Sequence, residues 1–328
     1  MEGMLKAKES LRKAGNILVA CHINPDGDTV GSMLALGLGL EKMGKKIVFF
    51  SADGVPKAYR RLPGADRVIT RLHQAKGRFD LAVAVDCGYK HMLGGAWAVF
   101  KKARNILEID HHAVRESFGT ISLLDTKAAA VGEMIYCLLK VLRVSIDKDI
   151  AENILTSVIV ETNSFRLPTV RSLSFSMCGE LMKTGMDFYR ITHMVYWAKK
   201  KESVVLSGIC LSRCKFLHQE TIVWSIIRKK DLDRVGGQDE DVDAVADEMR
   251  SIEGIKVAVL FREKSQKVLR VSLRSKDSVN VAAIAEHFAG GGHFDVAGCL
   301  IPNNRQAMRE LLNLTENLLS EYQSIIRM

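Results

Sequence analysis

Two rhythms of apolar and polar positions alternate along the chain up to about residue 195. Short apolar runs recur as NILVACH (16–22), KKIVFF (45–50), DLAVAVD (80–86), NILEID (105–110) and ISLLD (121–125). They are too short for helices and nearly continuous in hydrophobicity, as expected of strands buried on both faces of a parallel sheet. Between them the apolar period lengthens to three or four residues, which predicts helices over Thr29–Met43, Ala129–Val144 and Ile150–Ile159. Strand and helix in alternation imply βαβ units and an α/β, Rossmann-like domain.

The pattern then changes. Arg171 to Lys201 reads as mostly helical and ends in Lys199-Lys200-Lys201, a run that suits a solvated helix end or a phosphate backbone. After a linking helix near Ser203–Cys214 come TIVWSIIRK, KVAVLFRE and KVLRVSLRS, with helical periods over Val242–Ile252, Val281–Phe288 and Arg305–Leu319. Strands this close together predict a smaller α+β domain. The expected division is residues 1–195, a linker helix over 196–215, and a second domain over 216–328. No internal repeat or low-complexity segment interrupts it.

Length agrees, since 328 residues exceed the usual size of one hydrophobic core. The formal charge of +9 permits an anionic ligand such as a nucleotide or nucleic acid. Seven cysteines with no C-x-x-C pair read as a reduced interior, Cys210 and Cys214 included. Cys21 and Cys87 flank candidate ligands, but adjacent strand residues face opposite ways, so both are expected to be packing residues. The first fifteen residues form a short amphipathic pattern unlike a signal peptide, and no run reaches the roughly 18 apolar residues of a membrane span. A soluble, cytoplasmic protein without membrane association is expected.

Candidate chemistry gathers where strands run out. His22-Ile23-Asn24-Pro25-Asp26-Gly27-Asp28 follows the first strand, Asp86 ends the third, and Asp110-His111-His112 ends the fourth. An Asp-Gly-Asp alone is usually a turn, and a single His at a strand end is usually structural. Parallel sheets, however, bind ligands at the carboxyl ends of their strands, where these residues would converge. The mixture of imidazoles and a carboxylate majority suits Mn²⁺ better than structural zinc. The count matches two ions sharing a carboxylate, about 3.5 to 4 Å apart. Near the end of the chain, Gly290-Gly291-Gly292-His293 follows a helix. One glycine would suffice as a cap, whereas three followed by His suggest a loop whose N–H groups approach a phosphate.

HINPDGDTVGS, VDCG, IDHH and VSLRSKDSVNVAAIAEHFAGGGHFDVAGC together resemble the DHH/DHHA1 phosphoesterases, and within them the NrnA-like nanoRNA exonucleases that also act as 3′,5′-adenosine bisphosphate (pAp) phosphatases. The resemblance spans nearly the whole chain. It implies a DHH catalytic domain, a DHHA1 substrate-binding domain and an active site in the cleft between them. Carried over residue by residue, it implies that His22 and Asp26 hold one ion, that Asp28 and His111 hold the other, and that Asp86 bridges them. It places His112 toward the scissile phosphate, with Asp110 orienting a neighbouring imidazole.

A fourth family motif, Asp-Thr-Gly-x-Phe, reads here Glu161-Thr162-Asn163-Ser164-Phe165. Glu161 keeps the carboxylate and adds a methylene, so altered metal preference is the expected effect. Tyr89 and Val296 are smaller departures that remove no ligand.

The implied cofactor is Mn²⁺, two ions, with Mg²⁺ or Co²⁺ as substitutes. The implied reaction is in-line hydrolysis of a P–O3′ bond in short RNA or pAp, with Arg274, Gly290, Gly291, Gly292 and His293 binding a distal phosphate. An aromatic content of 6% argues against long stacking platforms and hence against a RecJ-like processive nuclease. Alternatives are hydrolysis of pApA or cyclic di-AMP, and a nucleotide-binding protein weakened in catalysis through Glu161. Substrate length and polarity stay open, as does oligomeric state, a homodimer being among the states allowed.

Overall fold

The computed structural model describes residues 2–326 except 76, 114, 198, 277, 278 and 293, with side chains as far as residue 320. The chain divides into two compact units, Met1–Ala198 and Lys199–Met328. In the first, five strands run parallel: β1 (Asn16–Cys21), β2 (Lys46–Phe50), β3 (Leu81–Val85), β4 (Asn105–Asp110) and β5 (Ile121–Leu124). Their spatial order is β2-β1-β3-β4-β5. The chain leaves β1 toward opposite sides for β2 and β3, so a crevice opens between the carboxyl ends of β1 and β3. His22 follows one of these strands and Asp86 the other.

Helices cover both faces, which explains strands with almost no polar alternation. On one face Ile17, Val19, Cys21, Val83, Val85 and Ile109 pack with α1 (Glu2–Lys13) and α2 (Gly27–Glu41). Leu18, Ala20, Ala82 and Ala84 face the other way, against Phe50, Phe79 and Phe100, the last on α3 (Trp97–Phe100). Cys21 and Cys87 lie in these two apolar clusters, and burial pushes the Cys21 thiol up to about 12. Both are packing residues, as expected.

The helix α2 is buried nearly all round because small residues let neighbours approach. It lies against α4 (Val131–Leu142) and α5 (Lys148–Glu161). A Cβ on Gly31 would stand 2.4 Å from the backbone oxygen of Asn153, and one on Gly37 would stand 2.1 Å from the Phe49 ring. Asp26 and Asp147 cap α2 and α5, accepting from the backbone N–H of Thr29 at 3.0 Å and Ile150 at 3.1 Å. The unit continues through α6 (Ser172–Met182), α7 (Phe188–Thr192) and a π-helical turn, His193–Trp197.

The second unit begins at Lys199, and α8 (Lys201–Leu211) is part of its core: Leu206 and Cys210 pack with Val223, Val245 and Leu260. The region expected to be a linker is therefore integral, because its apolar positions have a sheet face to cover. Lys199 and Lys200 pair with Glu248 at 3.2 Å and Asp241 at 2.9 Å, which gives the lysine run a structural role.

The sheet of this unit comprises β6 (Lys215–Leu217), β7 (Ile222–Ile227), β8 (Val257–Glu263), β9 (Val268–Ser275), β10 (Gly291–Gly292) and β11 (Val296–Pro302). Its order is β10-β11-β9-β8-β7-β6, mixed in direction because β7 and β8 are parallel. Their crossover carries α9 (Lys229–Val235) and α10 (Val245–Arg250), while α11 (Val281–His287) and α12 (Arg305–Ile326) complete the unit. The strand β11 escapes the sequence pattern because Gly298 and Pro302 interrupt it.

Gly31 sets the approach of α2 to α5. Gly31→Ala is expected to lower unfolding stability by about 1 to 3 kcal/mol through overpacking, read as a lowered midpoint in urea denaturation with an unchanged slope.

Candidate metal centre

The polar end of the first sheet is built by five short segments. His22 leaves β1; Asp26 and Asp28 sit at the cap and first turn of α2; Asp86 follows β3; Asp110 to His112 end β4; Glu161 closes α5. Asp86 takes a left-handed backbone with φ 55°, unusual for a residue with a side chain, and so does Asn24 with φ 52°. Strain of this kind persists where surrounding contacts impose it.

Three groups of donor atoms emerge among the described residues, His22 with Asp26 and Asp86, Asp28 with His111 and Glu161, and Asp86 with His111 and His112, each within 4.8 Å of one another. His22 Nε2 lies 3.7 Å from Asp86 Oδ2. His111 Nε2 lies 3.8 Å from each of Asp28 Oδ2, Asp86 Oδ1 and Glu161 Oε1. These separations are too long for hydrogen bonds. They suit atoms that share a cation, since two donors each about 2.1 Å from an ion can stand up to roughly 4.2 Å apart. Asp86 touches the first two groups, one carboxylate oxygen toward each.

Ring orientation agrees. His22 Nδ1 lies 2.6 Å from the carbonyl of Ile23, and His111 Nδ1 lies 3.1 Å from that of Ala128. A ring N–H donating to a carbonyl leaves Nε2 with its lone pair toward the carboxylates, the tautomer a metal ligand requires. The fit is also testable on Asp86, whose Oδ1 is buried with no hydrogen-bond partner among the described residues. Buried carboxylate oxygens normally accept a donor, so this atom suits a cation.

Asp28 is fully buried and held by Ser157 Oγ at 2.5 Å, Ser32 Oγ at 3.0 Å and the Val131 N–H at 3.0 Å. Burial, and after it the charge of Asp86, pushes its carboxyl up to about 7. A divalent ion would offset both effects. The extra methylene of Glu161 has not removed its carboxylate, which reaches the second group from a helix end. Beyond it Asn163, Ser164 and Phe165 run left-handed, with φ of 48°, 58° and 63°.

His112 is different. Its Nδ1 pairs with Asp110 Oδ1 at 2.6 Å, and Arg115 Nε stands 3.5 Å from Asp110 Oδ2. Burial opposes charge on the ring, but the hydrogen bond and charge of Asp110, with Asp86, outweigh it and raise His112 to about 9. His112 is also a member of the third donor group, its Nδ1 standing 3.6 Å from Asp86 Oδ1. Asp110 is lowered despite its burial, chiefly by that hydrogen bond.

In the second unit Arg274 and the glycines meet at one end of the sheet: Arg274 registers with Val296, and Gly292 with Ala297. Arg274 Nε pairs with Asp247 Oδ2 at 3.2 Å. The left-handed residue after α11 is Ala289, with φ 54°, so no glycine serves as that cap. Gly290 and Gly292 are required by packing, a Cβ meeting Gly298 O at 2.3 Å and Val296 O at 2.4 Å, whereas one on Gly291 would meet nothing within 4 Å. His293 lies outside the described residues. Cys210 and Cys214 join no metal-ligating group among the described residues.

Sequence reasoning overlooked Thr29, Ser32 and Ser157, which hold the carboxylates. The signal available for Thr29 was its place three residues after the capping Asp26.

The His112–Asp110 pair has a pH signature. A raised His pKa contributes stability that is full below about pH 6.5, the ordinary His value, and is lost as pH rises through about 9. In metal-free protein, NMR titration is expected to find His112 protonated through neutrality, and Asp110→Asn is expected to lower its pKa and flatten that loss of stability.

Comparison with known proteins accounts for both units. Residues 16–160 match the DHH family N-terminal domain, and residues 222–321 match the DHHA1 domain. A Thermus thermophilus protein named bifunctional oligoribonuclease and PAP phosphatase NrnA is 28% identical over 91% of this chain and 86% of its own length. The protein of that name from Bacillus subtilis is 26% identical over 94% of this chain and 96% of its own. The crystal structure of an exopolyphosphatase-related protein from Bacteroides fragilis superposes with a TM-score of 0.90 at 21% identity, covering 100% of this chain and 98% of that one. With its parallel-sheet unit matching the first domain and its mixed-sheet unit the second, the chain belongs to the DHH family and joins a DHH N-terminal domain to a DHHA1 domain.

Proposed function

We propose that the chain is a metal-dependent phosphoesterase that hydrolyses P–O3′ bonds, releasing 5′-mononucleotides from short oligoribonucleotides and converting pAp to AMP. The observation that carries this reading is Asp86, a buried carboxylate reaching the first two donor groups, with Oδ1 accepting no hydrogen bond among the described residues. The two relatives named as oligoribonuclease and PAP phosphatase support the substrate class.

His22 and Asp26 would hold one divalent ion, Asp28, His111 and Glu161 the other, and Asp86 both. Mn²⁺ suits this mixture of imidazole and carboxylate, with Mg²⁺ and Co²⁺ as substitutes. When bound, such a pair supplies a water acidic enough to act near neutral pH and neutralises charge on phosphate.

The protein's own groups do the rest. Asp110 fixes the His112 ring and keeps it cationic, so His112 can donate to a non-bridging phosphoryl oxygen as charge builds there. The oxygen of a water bonds to phosphorus as the P–O3′ bond breaks, the water gives up one proton to solvent, and the departing O3′ takes one from solvent, so that one water is consumed for each bond cleaved. A terminal RNA linkage and the 3′-phosphate of pAp present that same bond.

The second unit holds the distal phosphate in this reading. Gly291 has open space where a side chain would stand, which leaves its backbone approachable. Arg274 would exchange Asp247 for phosphate, a stronger bidentate partner for its planar fork. Glu161 within the second donor group argues against a protein that only binds nucleotides.

Purified protein incubated with Mn²⁺, Mg²⁺ or Co²⁺ and pAp, pApA, cyclic di-AMP or 5′-labelled RNA of two to five nucleotides tests the proposal. Mononucleotide release from short RNA and AMP from pAp are expected, both lost by at least a hundredfold in Asp86→Ala and His111→Ala. Turnover of cyclic di-AMP alone would overturn the substrate class, and binding without hydrolysis would overturn the enzyme.

A further inference from the structure

Thr29 touches all three members of the first donor group. Its backbone N–H donates to Asp26 Oδ1 at 3.0 Å, and its hydroxyl lies 2.5 Å from both Asp86 Oδ2 and His22 Nε2. The residue is fully buried in the first turn of α2, with no solvent to replace those contacts. Threonine is stiff at χ1, so the helix backbone transmits its position directly to the hydroxyl.

The hydroxyl has one proton to give. Its stronger acceptor is the carboxylate of Asp86. His22 Nδ1 is engaged with the carbonyl of Ile23 at 2.6 Å, which turns an Nε2 lone pair toward Thr29. With the hydroxyl proton on Asp86, the 2.5 Å contact to His22 Nε2 is a hydrogen bond only when Nε2 carries a proton; without that proton, Thr29 sets the ring's position by contact and leaves Nε2 open to a cation.

We infer that Thr29 is a positioning residue for the first cation, its hydroxyl donating to Asp86 Oδ2 and standing against His22 Nε2, which sets their 3.7 Å separation, while its backbone N–H holds Asp26. Nothing in ordinary helix formation requires a hydroxyl at this place, since the backbone N–H alone completes the cap. The fixed pair lowers the ordering cost that binding an ion would otherwise carry. Groups holding a ligand in this way typically change metal affinity by about 10- to 100-fold when removed.

The inference rests on the two-cation reading, and the test separates them. Mn²⁺ binding to wild type, Thr29→Val, Thr29→Ala and Thr29→Ser is measured by electron paramagnetic resonance of the free ion, with no substrate present. Val keeps the branched shape without the hydroxyl, Ser keeps the hydroxyl, and Ala provides a second deletion should Val perturb folding. Wild type is expected to bind two ions. Val and Ala are expected to weaken one of the two sites by about 10- to 100-fold, and Ser to stay within about threefold, with every variant still unfolding in a single cooperative thermal transition.

Equal affinity in Val, Ala and wild type would overturn the role of Thr29 while leaving the cation pair intact. Weakening in Ser as great as in Val would also overturn it. Wild type that binds no Mn²⁺ would overturn both.

Discussion

Two acidic side chains, Asp28 and Asp86, are buried together at the mouth of the first sheet, and their mutual repulsion is the constraint around which the unit is built. A buried carboxylate needs donors or cations to offset lost hydration. Asp28 receives donors on both oxygens, from Ser32 of its own helix, Ser157 of α5 and the Val131 and Gly132 N–H groups of α4. Asp86 receives a hydroxyl on one oxygen, and the other accepts no hydrogen bond among the described residues, with the rings of His112 and His111 standing 3.6 and 3.8 Å away. That residual demand for positive charge is met in part by the surrounding imidazoles, and a cation there would meet the rest.

The fold produces this concentration of charge through close helix packing. Because α2 is lined by glycines, it approaches α5 until Ser157 reaches Asp28. Because β1 and β3 flank the point where strand order reverses, His22 and Asp86 emerge side by side. Outside this shell, the Asp110–His112 pair, with Arg115 beside it, supplies a positive ring. Adjacent side chains of one strand end, His111 and His112, thus differ in the partner of Nδ1, a carbonyl for the first and a carboxylate for the second.

Most of this was legible in the sequence. All five parallel strands could be read because burial on both faces leaves a continuous apolar run, and a ligand at a strand end is placed by the strand itself. The longer helices α2, α4 and α5 were legible from an apolar period of three to four residues, whereas the four-residue α3 is too short to show one. What escaped was polar support: Thr29, Ser32 and Ser157 carry no pattern, since a buried hydroxyl is recognised by its partner and not by its neighbours in sequence. In the second unit β11 was hidden by Gly298 and Pro302, and the integral role of α8 by its mixed apolar faces. The glycine run had a double origin that sequence could not divide, with Gly290 and Gly292 required by packing and Gly291 not.

The most direct test of the central claim is anomalous diffraction from crystals soaked in Mn²⁺, recorded at the manganese edge. Two peaks about 3.5 to 4 Å apart, with Asp86 between them, His22 and Asp26 on one and Asp28, His111 and Glu161 on the other, are the predicted result. An absence of anomalous density at this strand end, with Asp86 Oδ1 instead accepting a hydrogen bond from protein or ordered water, would contradict it.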